Sequence, residues 1–111
     1  MTLVYIFLIL AILTEVTATL LLKASNGWEK WWFGMGAIFF YSIAGMTFAF
    51  VLKSMNVGLA YAIWSGAGIA LVCVASVLIW QQKFDIYALA GVMLIALGTG
   101  LITLKSSVAL Q

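Results

Sequence analysis

Two groups of residues have the types and the spacing to do chemistry. Glu15 sits near the middle of an otherwise uncharged stretch from Met1 to Leu22, long enough to span a bilayer. Placing an ionised side chain at the centre of a membrane helix costs roughly 3 kcal/mol even on the lenient insertion scale, so such residues face a cavity and handle protons or ions. Positions three, four and seven residues away share its helix face: Leu8, Ala11, Ile12, Ala18, Thr19 and Leu22. Ala11, Ala18 and Thr19 leave room beside the carboxylate for a bulky ligand. The second group is Tyr61, Trp64, Ser65 and Gly68, which places an aromatic pair and a hydroxyl on one helical face. Aromatic faces attract cations through their quadrupole, and a carboxylate supplies the full charge. Ordinary packing accounts for aromatics at this spacing when they stand alone. Together with an acid inside a span, they read as a cage for an organic cation. A purely structural Glu15 would need a buried cationic partner, yet every Lys lies outside the spans and Arg is absent.

Removal from water disfavours the charged form of a carboxylic acid, so a proton and a cationic substrate would compete for Glu15. If the site faces each side in turn and only the loaded protein switches, proton entry drives cation exit. Gly66 and Gly68 bracket Ala67 in the middle of the same segment as the aromatic pair. Missing side chains there permit a bend, which makes the pair a hinge; close helix packing is the competing explanation.

The elements that must position these groups follow from composition. The chain has 111 residues, of which 67% are hydrophobic and 7% charged, with mean hydropathy +1.25. Soluble domains carry roughly 25% charged residues, so this is an integral membrane protein. Apart from Glu15, the charges divide it into four blocks, 1–22, 31–52, 54–82 and 86–104, with 22, 22, 29 and 19 positions. A spanning helix needs about 20 residues. The expected fold is an all-α membrane protein: one domain of four transmembrane helices at about 3–22, 33–52, 57–80 and 86–104. The first block lacks a basic leading region and carries Glu15, so it is expected to be retained and not cleaved as a signal peptide. Four spans leave no length for a soluble catalytic or nucleotide-binding module, which argues against an enzyme and against ATP-driven transport by this chain alone. Cys73, the sole cysteine, lies inside the third span and suits a small apolar role. With no histidine, a metal site is not expected, and neither is a cofactor. The net charge of +2 is not gathered into a basic cluster, so no nucleic-acid partner is expected.

Loop chemistry agrees with this division. Asn26-Gly27 suits the end of the first helix and Asp85 an N-cap for the fourth. Trp28, Trp31, Trp32, Trp80 and Tyr87 cluster at span ends, where amphipathic rings settle among lipid headgroups. Four helices put Lys53 and Lys105 on one side and Lys23, Lys30 and Lys83 on the other. A difference of one lysine barely specifies orientation under the positive-inside rule, so oppositely inserted copies can coexist and pair. Four helices also give few walls around a central site, which makes a dimer the simplest assembly. Gly91 and Gly98, seven residues apart on one face of the fourth helix, are its expected seam, although glycine is also simply common in membrane helices.

The run Ala60-Tyr61-Ala62-Ile63-Trp64-Ser65-Gly66-Ala67-Gly68-Ile69, with Thr14-Glu15-Val16, Ser25-Asn26-Gly27 and the glycine-spaced fourth helix, resembles the small multidrug resistance family of bacterial exporters over nearly the whole chain. The resemblance implies an antiparallel, dual-topology homodimer in the bacterial inner membrane, with two copies of Glu15 in one central site. It further implies export of small organic cations against protons, driven by the proton gradient alone. It implies roles for Tyr61 and Trp64 in lining the site, for Tyr41 in the drug-exporting subtype, and for the third-helix glycines in a kink. One branch exports guanidinium-type metabolites, another lipophilic, aromatic and quaternary ammonium cations. This chain resembles the second, because Ala18 stands where the guanidinium branch typically has Trp, and because Tyr41 is present. A guanidinium or polyamine-like substrate is the alternative. The first loop, Gly27-Trp28-Glu29-Lys30-Trp31-Trp32-Phe33, departs from relatives that often have a basic residue and then Pro. Ala44 and Gly45 also replace larger or hydroxyl residues frequent after the second-helix Tyr.

Overall fold

The computed structural model describes residues 2–108. Its four helices are α1 (Thr2–Ala24), α2 (Trp31–Leu52), α3 (Val57–Trp80) and α4 (Ile86–Lys105), of 23, 22, 24 and 20 residues. At 1.5 Å per residue each is long enough to cross the roughly 30 Å hydrocarbon layer, and each is sufficiently apolar. α2 begins two residues before the expected position, so Trp31 and Trp32 belong to its first turn.

In lipid no water is available for stray hydroxyls, and six of them are satisfied within their own span. Thr14, Thr17, Ser42, Ser76, Thr99 and Thr103 each donate to a carbonyl three or four residues earlier, at 2.8–2.9 Å for the shortest bond of each.

The turns follow the local chemistry. After α1, Asn26 and Gly27 take left-handed φ values of 51° and 65°, which Asn tolerates and Gly adopts freely. Trp28 is also left-handed, at φ 72°, a conformation uncommon for so bulky a side chain. It is held by its N–H donating to buried Ser25 Oγ and by its ring lying on Gly34, where a Cβ would collide with it. Asn56 Oδ1 accepts from the N–H groups of Gly58 and Leu59 and caps α3, while left-handed Gln81 ends it. Asp85 Oδ1 accepts from Ala88 N–H at 2.8 Å and caps α4, as expected.

The chain divides after Lys53 into two compact units, each a pair of helices. In the first, Phe7 stacks on Phe50 with ring centroids 5.8 Å apart, and Thr19 meets Tyr41. These contacts run in opposite order along the two helices, so α1 and α2 are antiparallel. Buried residues of α2 recur at Gly34, Ala37, Ala44, Phe48 and Val51, a single stripe in which Tyr41 occupies the middle step. In α1, Leu8, Ala11 and Ala18 form the corresponding stripe, with Glu15 between the two alanines.

In the second unit α3 and α4 come close at Gly66, where a Cβ would collide with the side chain of Thr99 on α4. Toward the α3–α4 turn the helices part to leave an apolar groove of about 310 Å³ lined by Cys73, Val74, Val77, Leu78, Phe84, Leu89, Val92 and Met93. Cys73 is a free thiol in that wall. No residue of α4 is buried.

Candidate functional site

The α1 turn carrying Glu15 is a narrow shelf. Ala11 and Ala18, one turn to either side, are fully buried. Glu15 and Thr19 are half-buried. The two alanine methyls are thus covered by the packing of the hairpin, while the residue bearing the carboxylate keeps partial exposure between them. Among the described residues no ion pair or hydrogen bond reaches the Glu15 carboxylate, although its backbone carbonyl accepts from Thr19 Oγ1 at 3.0 Å. A carboxylate without a cation inside a span is costly when charged, so the group is stable as the acid or with a cationic ligand beside it.

Thr19 is the point where the two helices of the first unit exchange a polar contact. Its Oγ1 lies 2.8 Å from the hydroxyl of Tyr41 on α2. Leu8 and Ile12, also placed on the Glu15 face, are buried, and Leu22 is half-buried at the far end of that face. On the register of Phe7 with Phe50 and Thr19 with Tyr41, Glu15 falls level with the turn of α2 carrying Ile43 and Ala44. Ala44 is buried, whereas a Cβ on Gly45 would meet nothing within 4 Å.

In the second unit Tyr61 and Trp64 stand edge to face, with centroids 5.5 Å apart and planes at 73°. That geometry is favourable for the rings themselves and turns two π faces in different directions. Tyr61 is 57% exposed, so its face is open to a cation. Ser65 is half-buried one residue on. Gly66 has a definite packing partner in Thr99, while Gly68 is buried. Gly91 and Gly98 have open space where their side chains would be.

The structure thus brings Glu15, Thr19 and Tyr41 together in the first unit, and Tyr61, Trp64 and Ser65 together in the second. Sequence reasoning named Thr19 and Tyr41 separately and missed that they bond to each other, since a contact spanning 22 residues leaves no periodic trace. It also missed Thr99, an ordinary hydroxyl residue whose importance comes only from the glycine opposite. Among the described residues no three His, Cys, Asp or Glu side chains gather to hold a metal.

Comparison with known proteins adds an independent line. The Small Multidrug Resistance protein family matches residues 3–95. The multidrug transporter EmrE of Escherichia coli (strain K12) is 41% identical over 102 residues, covering 92% of this chain and 93% of that protein. The quaternary ammonium compound-resistance protein QacE of Escherichia coli is 39% identical, with the same coverage. The multidrug resistance protein EbrA of Bacillus licheniformis is 36% identical over 101 residues, 91% of this chain and 96% of its own length.

Proposed function

The chain belongs to the small multidrug resistance family, and on that premise we propose that it is a proton-coupled antiporter exporting lipophilic, aromatic and quaternary ammonium cations. It is a multi-pass protein of the bacterial inner membrane, and its relatives are multidrug transporters and quaternary ammonium resistance proteins. The observation that carries the finer reading is Glu15: a half-buried carboxylate within a membrane span, with no cation beside it among the described residues.

In this mechanism the proton and the substrate exclude each other at Glu15. A cation arriving at the ionised carboxylate gains a full opposite charge in a medium where such attraction is strong. A proton arriving from the other side cancels that charge and releases the cation. Tyr61 and Trp64 add aromatic faces, which suit flat or quaternary cations too large to be held by hydrogen bonds alone. In this reading the small Ala11 and Ala18 keep the helix slim beside the acid, Thr19 and Ser65 line the substrate space, and Tyr41 contributes a phenol. Two oppositely inserted copies pair into one transmembrane assembly, with Gly91 and Gly98 at their seam, and pool their Glu15 residues. Inverted pairing makes the two faces of the assembly equivalent, so exchanging the inward-open and outward-open forms needs only that the copies swap conformations. The bend that swap requires is placed at Gly66 and Gly68. Ala18, standing where the guanidinium-exporting branch typically has Trp, supports bulky substrates over guanidinium.

The test is proton-coupled current in proteoliposomes given either tetraphenylphosphonium or guanidinium, with Glu15→Gln as control. Current with the bulky cation that disappears in the variant supports the proposal. Current with guanidinium alone moves the chain to the metabolite-exporting branch. Equal behaviour of wild type and variant removes the role assigned to Glu15.

A further inference from the structure

We propose that Thr19 is a positioning residue that fixes the Tyr41 hydroxyl and its direction of hydrogen bonding, thereby setting affinity for the cation; this rests on the reading of Glu15 as the substrate site. The Thr19 hydroxyl makes two contacts, 3.0 Å to the backbone carbonyl of Glu15 and 2.8 Å to the Tyr41 hydroxyl. A carbonyl only accepts, so the single proton of Thr19 goes to Glu15. The oxygen of Thr19 is then left to accept, and Tyr41 must donate.

The three groups form a directed relay, from Tyr41 O–H to Thr19 O–H to Glu15 C=O. Each bond polarises the next in a medium of low dielectric. The proton of Tyr41 is committed to Thr19, so the phenol oxygen keeps only lone pairs for any further partner. It presents the negative end of its dipole, which suits a cation and disfavours a further acceptor. The relay also links the backbone carbonyl of Glu15 to α2 by hydrogen bonds, so the turn that carries the acid is held in register with the phenol. Valine at position 19 has nearly the same shape but no hydroxyl. It leaves Tyr41 without this acceptor, and the phenol rotates to find another.

A four-variant cycle tests this: Thr19→Val, Tyr41→Phe, the double variant and Thr19→Ser, each purified in detergent and titrated with tetraphenylphosphonium. Losing one hydrogen bond corresponds to about 3- to 10-fold in affinity. Thr19→Val is expected to weaken binding by about that factor, Thr19→Ser to bind within about twofold of wild type, and the double variant to bind no more weakly than Tyr41→Phe alone. Rescue by serine excludes a merely space-filling threonine, and the shared loss identifies Tyr41 as the group through which it acts. Independent losses that multiply in the double variant, or a serine variant as weak as valine, overturn the proposal. Glu15→Gln binding like wild type removes the underlying site reading and this proposal with it, whereas loss in Glu15→Gln together with independent losses in the cycle overturns the Thr19 role alone.

Discussion

The two helical hairpins solve the problem of packing in lipid in different ways. In α1–α2 the helices hold each other by a stripe of small residues, by a stacked Phe7–Phe50 pair and by a side-chain hydrogen bond between Thr19 and Tyr41. In α3–α4 the close contact is Thr99 on Gly66; the hydroxyls of Ser76, Thr99 and Thr103 donate within their own helices, and no residue of α4 is fully buried. Leu94, Leu97 and Leu104 of α4 are each at least 65% exposed. Lipid is as apolar as leucine, so such a surface gains little from hydrophobicity and associates only through close packing. The difference teaches that the hairpin carrying the acid fixes its own geometry, while the second hairpin leaves α4 available for lipid or for another copy of the chain.

If that division is right, removing the acid and removing the packing contacts should have separable effects. The largest expected effect is that of Glu15→Gln, which abolishes proton-coupled transport in proteoliposomes while leaving helical content and thermal stability in detergent near wild type. Simultaneous loss of fold would mean that the carboxylate is part of the architecture of the first hairpin. The competition at Glu15 has a sign that can be checked directly. Adding tetraphenylphosphonium to weakly buffered protein is expected to release protons, and apparent affinity is expected to weaken as pH falls, because protonation removes the charge that the cation needs. Glu15→Gln should abolish both responses.

Next in size is the contrast between the glycines. Gly66→Ala must push Thr99, whose colliding atoms are anchored at a stiff β-branched side chain, so the cost is about 1–3 kcal/mol of stability. Gly34→Ala pushes the ring of the half-exposed Trp28, which gives way toward the surface at the expense of the contact that holds the turn, and should cost about 1 kcal/mol. Chemical denaturation in mixed micelles compares them; equal costs would erase the contrast drawn between the hairpins. Thr99→Ala in the Gly66→Ala background should recover part of the loss. The smallest effects are expected at the caps of the second hairpin: Asn56→Ala and Asp85→Ala each cost about 1 kcal/mol, read as faster amide exchange in the first turns of α3 and α4. α2 has no corresponding handle, since its N-cap is Lys30 with no side-chain hydrogen bond.

Much of the site was legible because its signals are local. Glu15 stands out against an uncharged span, and Tyr61 and Trp64 are three residues apart, so helical spacing alone puts them on one face. Gly66 was legible as a special position, with hinge and close packing both open. The structure supplies the packing partner, Thr99, and the hinge stays with the proposed transport cycle. Asp85 was readable as a cap, while the equivalent role of Asn56 passed unnoticed in a loop read only for its length.

What the sequence determined by itself is therefore the number of spans, their approximate limits and the isolation of one carboxylate among them, because hydropathy and charge act residue by residue. The tertiary structure decided which faces meet. These helices are apolar nearly all round, so no amphipathic stripe tells a span which side to turn inward. Rotation and register are settled by small residues and hydroxyls on two helices finding each other. That is how Thr19 came to lie against Tyr41 and Thr99 against Gly66, contacts whose partners stand 22 and 33 positions apart and share no local pattern.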